Sequence, residues 1–396
     1  MSISAAAGNR KAEARGASAK DLVRLFRWFH ENPELALEEV GTTERIRETL
    51  GGIDGVEPLD LGLPTGALAR VVGDPAGPVV GLRADIDALP LREQSGLAYA
   101  SHHEGRMHAC GHDFHLTALL GAASLLSAQR DELPGTVILL FQPAEETSVG
   151  AREVVGTGRL QELGVQELFG EHVSAELPGG SISVDDGAIS ASVDRFLIRV
   201  RGRGCHAAHP ELGRDPIPVT ARLVGSLQDI PSRVVSPFAP VVLSVTRFTS
   251  GTTWNIVPET AELEGTVRTF DTAVRSVVEG EVRARAQALE AEGYVTSVDW
   301  YCGCSSVVND PGLTELVRDV VRSQDGLTLV EEGPSTGGED FSEYQGIART
   351  VFLHTGVGES TPLHTPTFRA DPAQLAPAAR LLASIARAAL EDLAAR

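Results

Sequence analysis

The sequence predicts an α/β protein whose main domain is interrupted by a second, smaller domain. Up to about residue 180 and again after about residue 310, apolar strand-like runs alternate with helical segments. This alternation is typical of a layered domain with a mixed, largely parallel sheet. Between these parts the predicted order is strand, helix, strand, strand, helix, strand, the ferredoxin-like arrangement, which completes its own sheet. We therefore expect one domain from residues 19–186 and 301–396, an inserted domain from residues 187–300, and a disordered leader of residues 1–18.

The first domain is predicted to begin with helices, which strands then follow. Apolar residues at helical spacing predict a helix from about Leu22 that ends at Pro33, and a second helix is expected over residues 42–50. Apolar or β-rich runs predict the strands 67–72, 79–82, 136–141, 168–173 and 350–354. The inserted domain is predicted to contain strands 190–200, 241–248, 260–269 and 295–301 and helices 216–228 and 273–290.

The composition argues against several classes of function. A net charge of −20 over 396 residues argues against nucleic acid or an anionic membrane as a partner. No apolar run approaches the roughly 20 residues of a membrane span, and the N-terminus lacks the apolar stretch of a secretory signal, so we expect a cytoplasmic protein. The four cysteines are scattered and do not form a disulfide framework. The only lysines, Lys11 and Lys20, lie in or beside the leader. The domains therefore offer no lysine for Walker-A phosphate binding or Schiff-base chemistry.

Residues 107–115 are the densest group of chemically active side chains in the sequence. They include one thiol, three imidazoles and one carboxylate. Cys110 and His112 are two residues apart, so on an extended segment they would point to the same side and could hold one ion. The apolar run 116–125 is expected to form a buried helix directly after them. A buried structural thiol or a hydrogen-bonded histidine is the ordinary alternative for each residue alone, but the cluster favours a metal site.

Carboxylates follow two of the predicted strands. Glu145 and Glu146 come just after the apolar run 136–141, and adjacent side chains on an extended chain point to opposite sides. One could then bind metal while the other, Glu145, acts as general base. Asp85 and Asp87 share a face at another strand end, although an Asp-x-Asp pair taken alone is more typical of a turn cap.

Together the candidate ligands suggest a site for two divalent ions. They are Cys110, His112, Glu146, His172 and His364. Five sulfur, nitrogen and oxygen ligands suggest two ions that are bridged by the cysteine or by water. Such mixed ligation suits Zn, Mn, Co or Ni. Glu145 would take a proton from water and return it to the leaving nitrogen.

These motifs, in this order, resemble those of a known family. The motifs lie at residues 110–115, 142–146, 170–173, 206–210, 339–341 and 363–366. They are similar to those of the dinuclear metallopeptidases of the aminoacylase and carnosinase superfamily, in particular its amidohydrolases for hippurate, N-acyl amino acids and auxin conjugates. The resemblance runs from about residue 20 to the end. It implies a two-metal catalytic domain with an inserted lid or dimerisation domain, and therefore a homodimer or a higher homo-oligomer.

The resemblance also implies roles for single residues. It assigns the five candidate ligands to the metal ions and Glu145 to acid and base catalysis. Asp87 resembles the carboxylate that orients a metal ligand. His206 resembles the residue that reaches from the lid, often across the dimer, to the developing oxyanion. Asn255 and Arg268 match lid positions that contact substrate.

Some residues depart from the family pattern or have an ordinary alternative. Phe114, Glu171 and Cys205 differ from the usual residues, and we expect them near the pocket, where they would alter the choice of substrate. For Arg268 the alternative is an exposed strand arginine that pairs with a glutamate of the same strand, Glu262 or Glu264.

The expected function is metal-dependent hydrolysis of the amide bond of small N-acyl amino acids, which gives a free amino acid and a carboxylic acid. The alternative is a dipeptidase or carboxypeptidase of the same superfamily that acts on free peptides. The intact ligand set and Glu145 argue against a non-catalytic binding protein and against a closed structural zinc site.

Overall fold

The computed structural model describes residues 18–396, which form two compact units. The first contains the described chain up to Gly187 together with Val308–Gly333 and Glu343–Arg396, and the second contains Ala188–Val307 and Pro334–Ser342. Almost all of the predicted leader lies outside the described residues. Its last residue, Ser18, caps the first helix by accepting a hydrogen bond from the N–H of Asp21 (3.3 Å).

The secondary-structure elements are numbered here in chain order. Within residues 18–396 the α-helices are α1 Ala19–Glu31, α2 Val40–Gly51, α3 His112–Ala128, α4 Gly150–Gly156, α5 Arg159–Glu162, α6 Pro216–Arg233, α7 Thr272–Ala288, α8 Pro311–Ser323 and α9 Leu375–Ala395. The strands of the same residues are β1 Val56–Leu59, β2 Ala67–Val72, β3 Val79–Asp85, β4 Thr136–Gln142, β5 Glu167–Ser174, β6 Ser181–Ser183, β7 Gly187–Ala188, β8 Asp194–Arg201, β9 Cys205–His206, β10 Val241–Ser250, β11 Ile256–Val257, β12 Thr260–Thr269, β13 Val295–Cys302, β14 Val308–Asn309, β15 Thr328–Val330 and β16 Arg349–Gly356. No helix in this part of the chain is long and apolar enough to cross a bilayer.

The sheet of the first unit confirms the predicted mixed, largely parallel arrangement. Its strand order is β1-β2-β4-β3-β5-β16-β6-β15. The four central strands β4, β3, β5 and β16 are parallel, whereas β1, β2 and β6 pair antiparallel at the flanks. All seven residues of β4 are buried, as its continuous apolar run predicts. Because the central strands are parallel, their carboxyl ends lie at one edge of the sheet.

Helix α3 begins four residues earlier than the apolar run 116–125 indicates, and this corrects one prediction. The helix starts at His112, so Cys110 and His112 do not share an extended segment. Gly111 precedes the helix with a φ of 84°, and a Cβ there would clash with the side chain of Val173. Only glycine allows this close entry into the helix. The polar cluster is therefore divided between a bend and the first turn of a buried helix that packs against β3 and α9.

The second unit contains the predicted ferredoxin-like fold. Strand β8, helix α6, strands β10 and β12, helix α7 and strand β13 follow one another, and the antiparallel sheet has the order β10-β12-β8-β13. The two helices pack on the sheet over a core that includes Phe196, whose ring stacks on Trp300 (6.1 Å between centroids).

The boundary of the second unit differs from the predicted 187–300. Residues 301 and 302 continue β13 along β8, and residues 303–307 and 334–342 group with this unit because their backbone hydrogen-bonds to the segment before β8. The N–H of Val193 donates to the carbonyl of Cys304 (3.0 Å), and the N–H of Ala191 donates to that of Gly337 (3.0 Å). These irregular segments lack the periodicity from which elements are predicted.

Candidate active site

The thiol of Cys110 lies at the centre of a cluster of metal-binding side chains in the first unit. Its Sγ is 3.3 Å from Nε2 of His172, on β5, and 3.2 Å from Nε2 of His364. The N–H of His364 donates to the carbonyl of Ala109 (2.8 Å), which holds the two chain segments together. His364 has a φ of 59°, an uncommon conformation for a residue other than glycine.

All five predicted ligands are brought together around this thiol. Potential ligand atoms of Cys110, His112 and His172 lie within 4.8 Å of one another, as do those of Cys110, Glu146 and His364. The two groups share the cysteine, so the arrangement can accommodate two ions with one common ligand.

Glu145 and Glu146 point to the same side, which corrects the prediction of opposite directions. Nε2 of His112 is 3.9 Å from Oε2 of Glu145 and 3.9 Å from Oε1 of Glu146. The two side chains share a side because β4 ends at Gln142 and the chain turns at the two glutamates. The N–H of Ser148 donates to the carbonyl of Glu145 (2.7 Å). The alternation of side chains that a strand imposes does not apply to a turn.

Asp87 contacts both the first turn of α3 and the turn that carries the two glutamates. Its Oδ1 lies 3.3 Å from Nδ1 of His112. Its two oxygens also accept the N–H groups of Glu145 (3.1 Å) and Glu146 (3.0 Å). The sequence allows two interpretations of Asp87, a turn cap and a partner of a metal-type histidine. Both kinds of contact are present.

Asp85 and His115 form a buried pair next to the cluster, and the local sequence pattern does not predict their contact. Asp85 accepts from Arg83 (2.7 Å) and lies 2.6 Å from Nδ1 of His115. Nε2 of His115 accepts the N–H of Val173 (2.9 Å), and its ring is 4.6 Å from that of His172. His112 and His115 are three residues apart, and residues at this spacing share one face of a helix. Their proximity follows from the sequence once the helix is known to begin at His112.

Burial and the neighbouring carboxylates together change the protonation of the cluster. Burial opposes charge on His112, but Asp85 and Asp87 outweigh it and hold the pKa of this imidazole well above its usual value. Burial raises the pKa of the Cys110 thiol and of the Glu146 carboxyl. Burial lowers the pKa of His172, so this imidazole is neutral and able to bind a cation.

The residues present fit a divalent cation. Nε2 of His112 and Oε1 of Glu146 are buried and have no hydrogen-bond partner within residues 18–396. Buried polar atoms are normally paired, so unpaired atoms that point into a cluster need another partner. A set of one thiol, three imidazoles and one carboxylate is the donor chemistry that zinc and similar ions prefer.

The remaining predicted site residues lie in the second unit. His206 is exposed on β9, opposite Ile256 of β11, and the N–H of Ala207 donates to the carbonyl of Asn255 (3.1 Å). His206 and Asn255 are therefore close neighbours. Arg268 lies on β12, on the face opposite the buried residues of that strand.

Arg268 does not pair with the glutamates that its alternative interpretation requires. Glu264 pairs with Arg195 and Arg247, and Glu262 pairs with Arg199. Within its own unit Arg268 has no ion-pair partner among the described residues. The proposed pairing with these glutamates is wrong, because arginines of the neighbouring strands occupy them.

Two of the residues that depart from the family pattern are core residues. The Phe114 ring is fully buried and packs against Phe26 (6.5 Å between centroids). Glu171 is buried and accepts a hydrogen bond from Thr355 (2.9 Å), and burial raises its pKa to about 7. Phe114 and Glu171 are therefore buried and offer no surface to a substrate, and their effect on the choice of substrate stays a prediction. Cys205 is half-buried on β9, next to His206.

The chain is similar to known proteins over most of its length. The sequence profile of peptidase family M20/M25/M40 matches residues 81–388. The chain is 40% identical over 374 residues to N-acetyl-L-cysteine deacetylase of Bacillus subtilis, which covers 94% of this chain and 89% of that protein. It is 36% identical over 360 residues to thermostable carboxypeptidase 2 of Saccharolobus solfataricus, and this match covers 88% of this chain and 90% of that protein.

A solved structure extends the likeness to three dimensions. The crystal structure of a dinuclear metal binding peptidase of the M20 family from Bacillus subtilis superposes with a TM-score of 0.85 at 39% identity. The match covers 94% of this chain and 98% of that one. The chain belongs to peptidase family M20/M25/M40, as its motifs, its fold and the profile match over most of its length together show.

Proposed function

We propose that this protein hydrolyses the amide bond of N-acyl amino acids in a metal-dependent reaction and releases the free amino acid and a carboxylic acid. The observation that carries the proposal is the position of Glu145. Its carboxylate lies 3.9 Å from the same His112 nitrogen as that of Glu146, at the edge of a cluster of five metal-type side chains. A carboxylate beside a metal cluster is the arrangement that hydrolytic metalloenzymes use to activate water. The similarity to an N-acetyl-L-cysteine deacetylase supports the choice of substrate.

Two divalent ions would be held by the candidate ligands. The ligands are Cys110, His112, Glu146, His172 and His364. When bound, such ions lower the pKa of water and polarise an amide carbonyl. Zn, Mn, Co and Ni all suit this mixture of ligands.

Glu145 would move the proton that the reaction requires. It takes a proton from water as the water oxygen bonds to the acyl carbon, and it delivers this proton to the nitrogen as the carbon–nitrogen bond breaks. Asp87 would hold a proton on Nδ1 of His112 and so keep Nε2 available as a ligand.

The second unit would supply substrate contacts and act as a lid and a dimerisation domain in a homodimer or a higher oligomer. We assign His206 to the developing oxyanion, and Asn255 and Arg268 to the substrate. Arg268 is suited to a substrate carboxylate because its guanidinium has no ion-pair partner within its unit and can bind a carboxylate through two hydrogen bonds.

A second candidate function is hydrolysis of free peptides, and the similarity to a carboxypeptidase supports it. The two functions separate in one assay. Purified protein is incubated with N-acetyl-L-cysteine, other N-acetyl amino acids, hippurate and a set of dipeptides, and released amino acid is quantified. Glu145→Gln serves as the control for contaminating activity. The proposal predicts higher kcat/KM for the N-acyl amino acids, and a preference for dipeptides would replace it with the second candidate.

A further inference from the structure

The turn that carries Glu145 and Glu146 is held by two buried carboxylates from distant parts of the first unit. Three consecutive backbone N–H groups are involved. The N–H of Ala144 donates to Oε1 of Glu39 (2.8 Å), and those of Glu145 and Glu146 donate to the two oxygens of Asp87 (3.1 and 3.0 Å). Hydrogen bonds from backbone N–H groups to carboxylates are stronger than those between neutral groups.

The turn needs such support because its backbone is strained. Ala144 has a φ of 54°, in the left-handed region that a residue with a Cβ adopts at a cost. The chain then folds back closely, since the N–H of Gly150 donates to the carbonyl of Ala144 (3.1 Å). A Cβ at Gly150 would overlap the carbonyl of Pro143. A strained, tightly folded turn keeps one conformation only when its surroundings fix it.

Glu39 immediately precedes a helix whose first turn is capped by another glutamate. It occupies the position just before α2, whose first N–H groups, from Gly41 and Thr42, donate to Glu34 (3.0 and 2.7 Å). The Glu39 side chain is fully buried, and its Oε2 has no hydrogen-bond partner within the described chain. A buried carboxylate with an unsatisfied oxygen costs stability, so the hydrogen bond from Ala144 is an important contact of this side chain.

We propose that Glu39 is a positioning residue that fixes the backbone of Ala144 and thereby, together with Asp87, aims Glu145 and Glu146. The inference rests on the proposed function in so far as Glu145 is the base. Within the described residues the Glu39 carboxylate is hydrogen-bonded to the peptide N–H of Ala144 and not to any of the five candidate ligands, so it would act through the backbone of the turn. A shift of the base by about 1 Å can reduce a rate roughly 100-fold, so loss of this contact should act on kcat.

The test compares three replacements of Glu39 with a matched control. Glu39→Leu removes the acceptor, Glu39→Gln keeps an oxygen that can accept the N–H, and Glu39→Asp keeps the charge but is one methylene shorter. The control is Glu167→Leu. Glu167 is another fully buried carboxylate of this unit, at the amino end of β5, with an orphan Oε2 and an ion pair to Arg349 (2.9 Å).

Three readings are taken on each variant: kcat and KM on an N-acyl amino acid, the melting temperature, and hydrogen–deuterium exchange of the amides of residues 144–146 in metal-depleted protein. Exchange does not depend on activity, so a protein that hydrolyses none of the substrates would overturn the proposed function while the exchange result still tests Glu39.

We expect Glu39→Leu to lower kcat roughly 30-fold with KM within about threefold, and to speed exchange at residues 144–146 at least about tenfold. Glu39→Gln should remain within about threefold of the wild type, while Glu167→Leu lowers the melting temperature without changing kcat. Where Glu39→Leu does not fold, Glu39→Asp is expected to show the same loss of kcat and the same faster exchange. The proposal is overturned if exchange at residues 144–146 is unchanged, or if Glu39→Gln loses as much activity as the variants that lack the acceptor.

Discussion

Oδ1 of Asp87 lies 3.3 Å from Nδ1 of His112, so the carboxylate faces the ring nitrogen that is not directed at the two glutamates. A proton on this side would leave Nε2 of His112 available as a ligand for a cation. In the metal-free protein the surrounding carboxylates hold the pKa of His112 well above its usual value, so Nε2 also carries a proton. Binding of a cation must therefore displace protons from the site.

Replacement of the proposed base should lower turnover strongly and leave metal binding intact. Glu145→Gln keeps the size of the side chain but cannot accept a proton. We expect kcat to fall roughly 10²- to 10⁴-fold, about 3–5 kcal/mol. Metal content, measured by elemental analysis, should stay at the wild-type level. A variant that keeps most of its activity would remove Glu145 from the role of base.

Metal affinity should rise with pH. Burial raises the pKa of the Cys110 thiol, and the carboxylates raise that of His112 against the effect of burial, so both groups are protonated near neutral pH without metal. A cation binds the thiolate and the neutral imidazole, so its binding releases the protons of both groups. Because protons are released more easily at higher pH, the affinity for the cation rises with pH. Calorimetric titration with Zn²⁺ in buffers of different ionisation enthalpy measures the number of protons released.

The matched variants for that titration are two serine replacements. Cys110→Ser should release fewer protons than the wild type and bind Zn²⁺ more weakly. Cys304→Ser removes a buried thiol of the second unit and should behave as the wild type. Equal proton release by Cys110→Ser and the wild type would show that Cys110 is not a ligand.

His30 should stabilise the first unit most below neutral pH. Burial alone would lower its pKa, but hydrogen bonds with Asp113 (2.6 Å) and Glu93 (3.1 Å) outweigh burial and raise it to about 10. A raised pKa means that the stabilisation is complete below the unfolded value of 6.5 and is lost as pH rises towards 10. The wild type should exceed His30→Gln by roughly 2–5 kcal/mol near pH 6 and by much less near pH 10.

Urea unfolding of the two proteins at both pH values measures this difference, with His102→Gln, a replacement of an exposed histidine, as the control. A difference between the wild type and His30→Gln that stays constant from pH 6 to pH 10 would contradict a charged His30.

Arg268 should matter for substrates that carry a free α-carboxylate. Arg268→Ala is expected to weaken kcat/KM for N-acyl amino acids by roughly 2–4 kcal/mol and to leave the corresponding amino-acid amides nearly unchanged. Arg195→Ala, which removes a neighbouring strand arginine that pairs with Glu264, should affect neither class. Equal loss on acid and amide substrates would show that Arg268 does not bind the carboxylate.

The sequence was sufficient to predict the architecture and the chemical character of the site. The apolar run of β4 and the ligand-type residues beyond it follow local patterns, and the βαββαβ order of the second unit follows from the order of elements alone. The motif resemblance led to the family that the profile match shows. In each case the residue pattern that carries the prediction lies within one element, or the prediction follows from the order of elements and motifs along the chain.

The details that could not be predicted depend on contacts between distant residues. The direction of Glu145 is set by a turn whose N–H groups bind Glu39 and Asp87, 105 and 58 positions away from their partners. The early start of α3 depends on the tight approach of Gly111 to Val173. Partners for Glu262 and Glu264 come from neighbouring strands, and which arginine reaches them depends on the register of the sheet.

The most direct test of metal-dependent amide hydrolysis is a metal titration that follows turnover. Chelator-treated protein is titrated with Zn²⁺ or Mn²⁺ while the release of free amino acid from N-acetyl-L-cysteine and from other N-acetyl amino acids is measured. We predict no hydrolysis without added metal and a rate that reaches its plateau at two ions per chain, while Glu145→Gln takes up the same two ions with turnover lowered at least about 100-fold. Hydrolysis that continues undiminished in the metal-depleted protein, or a metal-saturated protein that cleaves no N-acyl amino acid, would contradict the account.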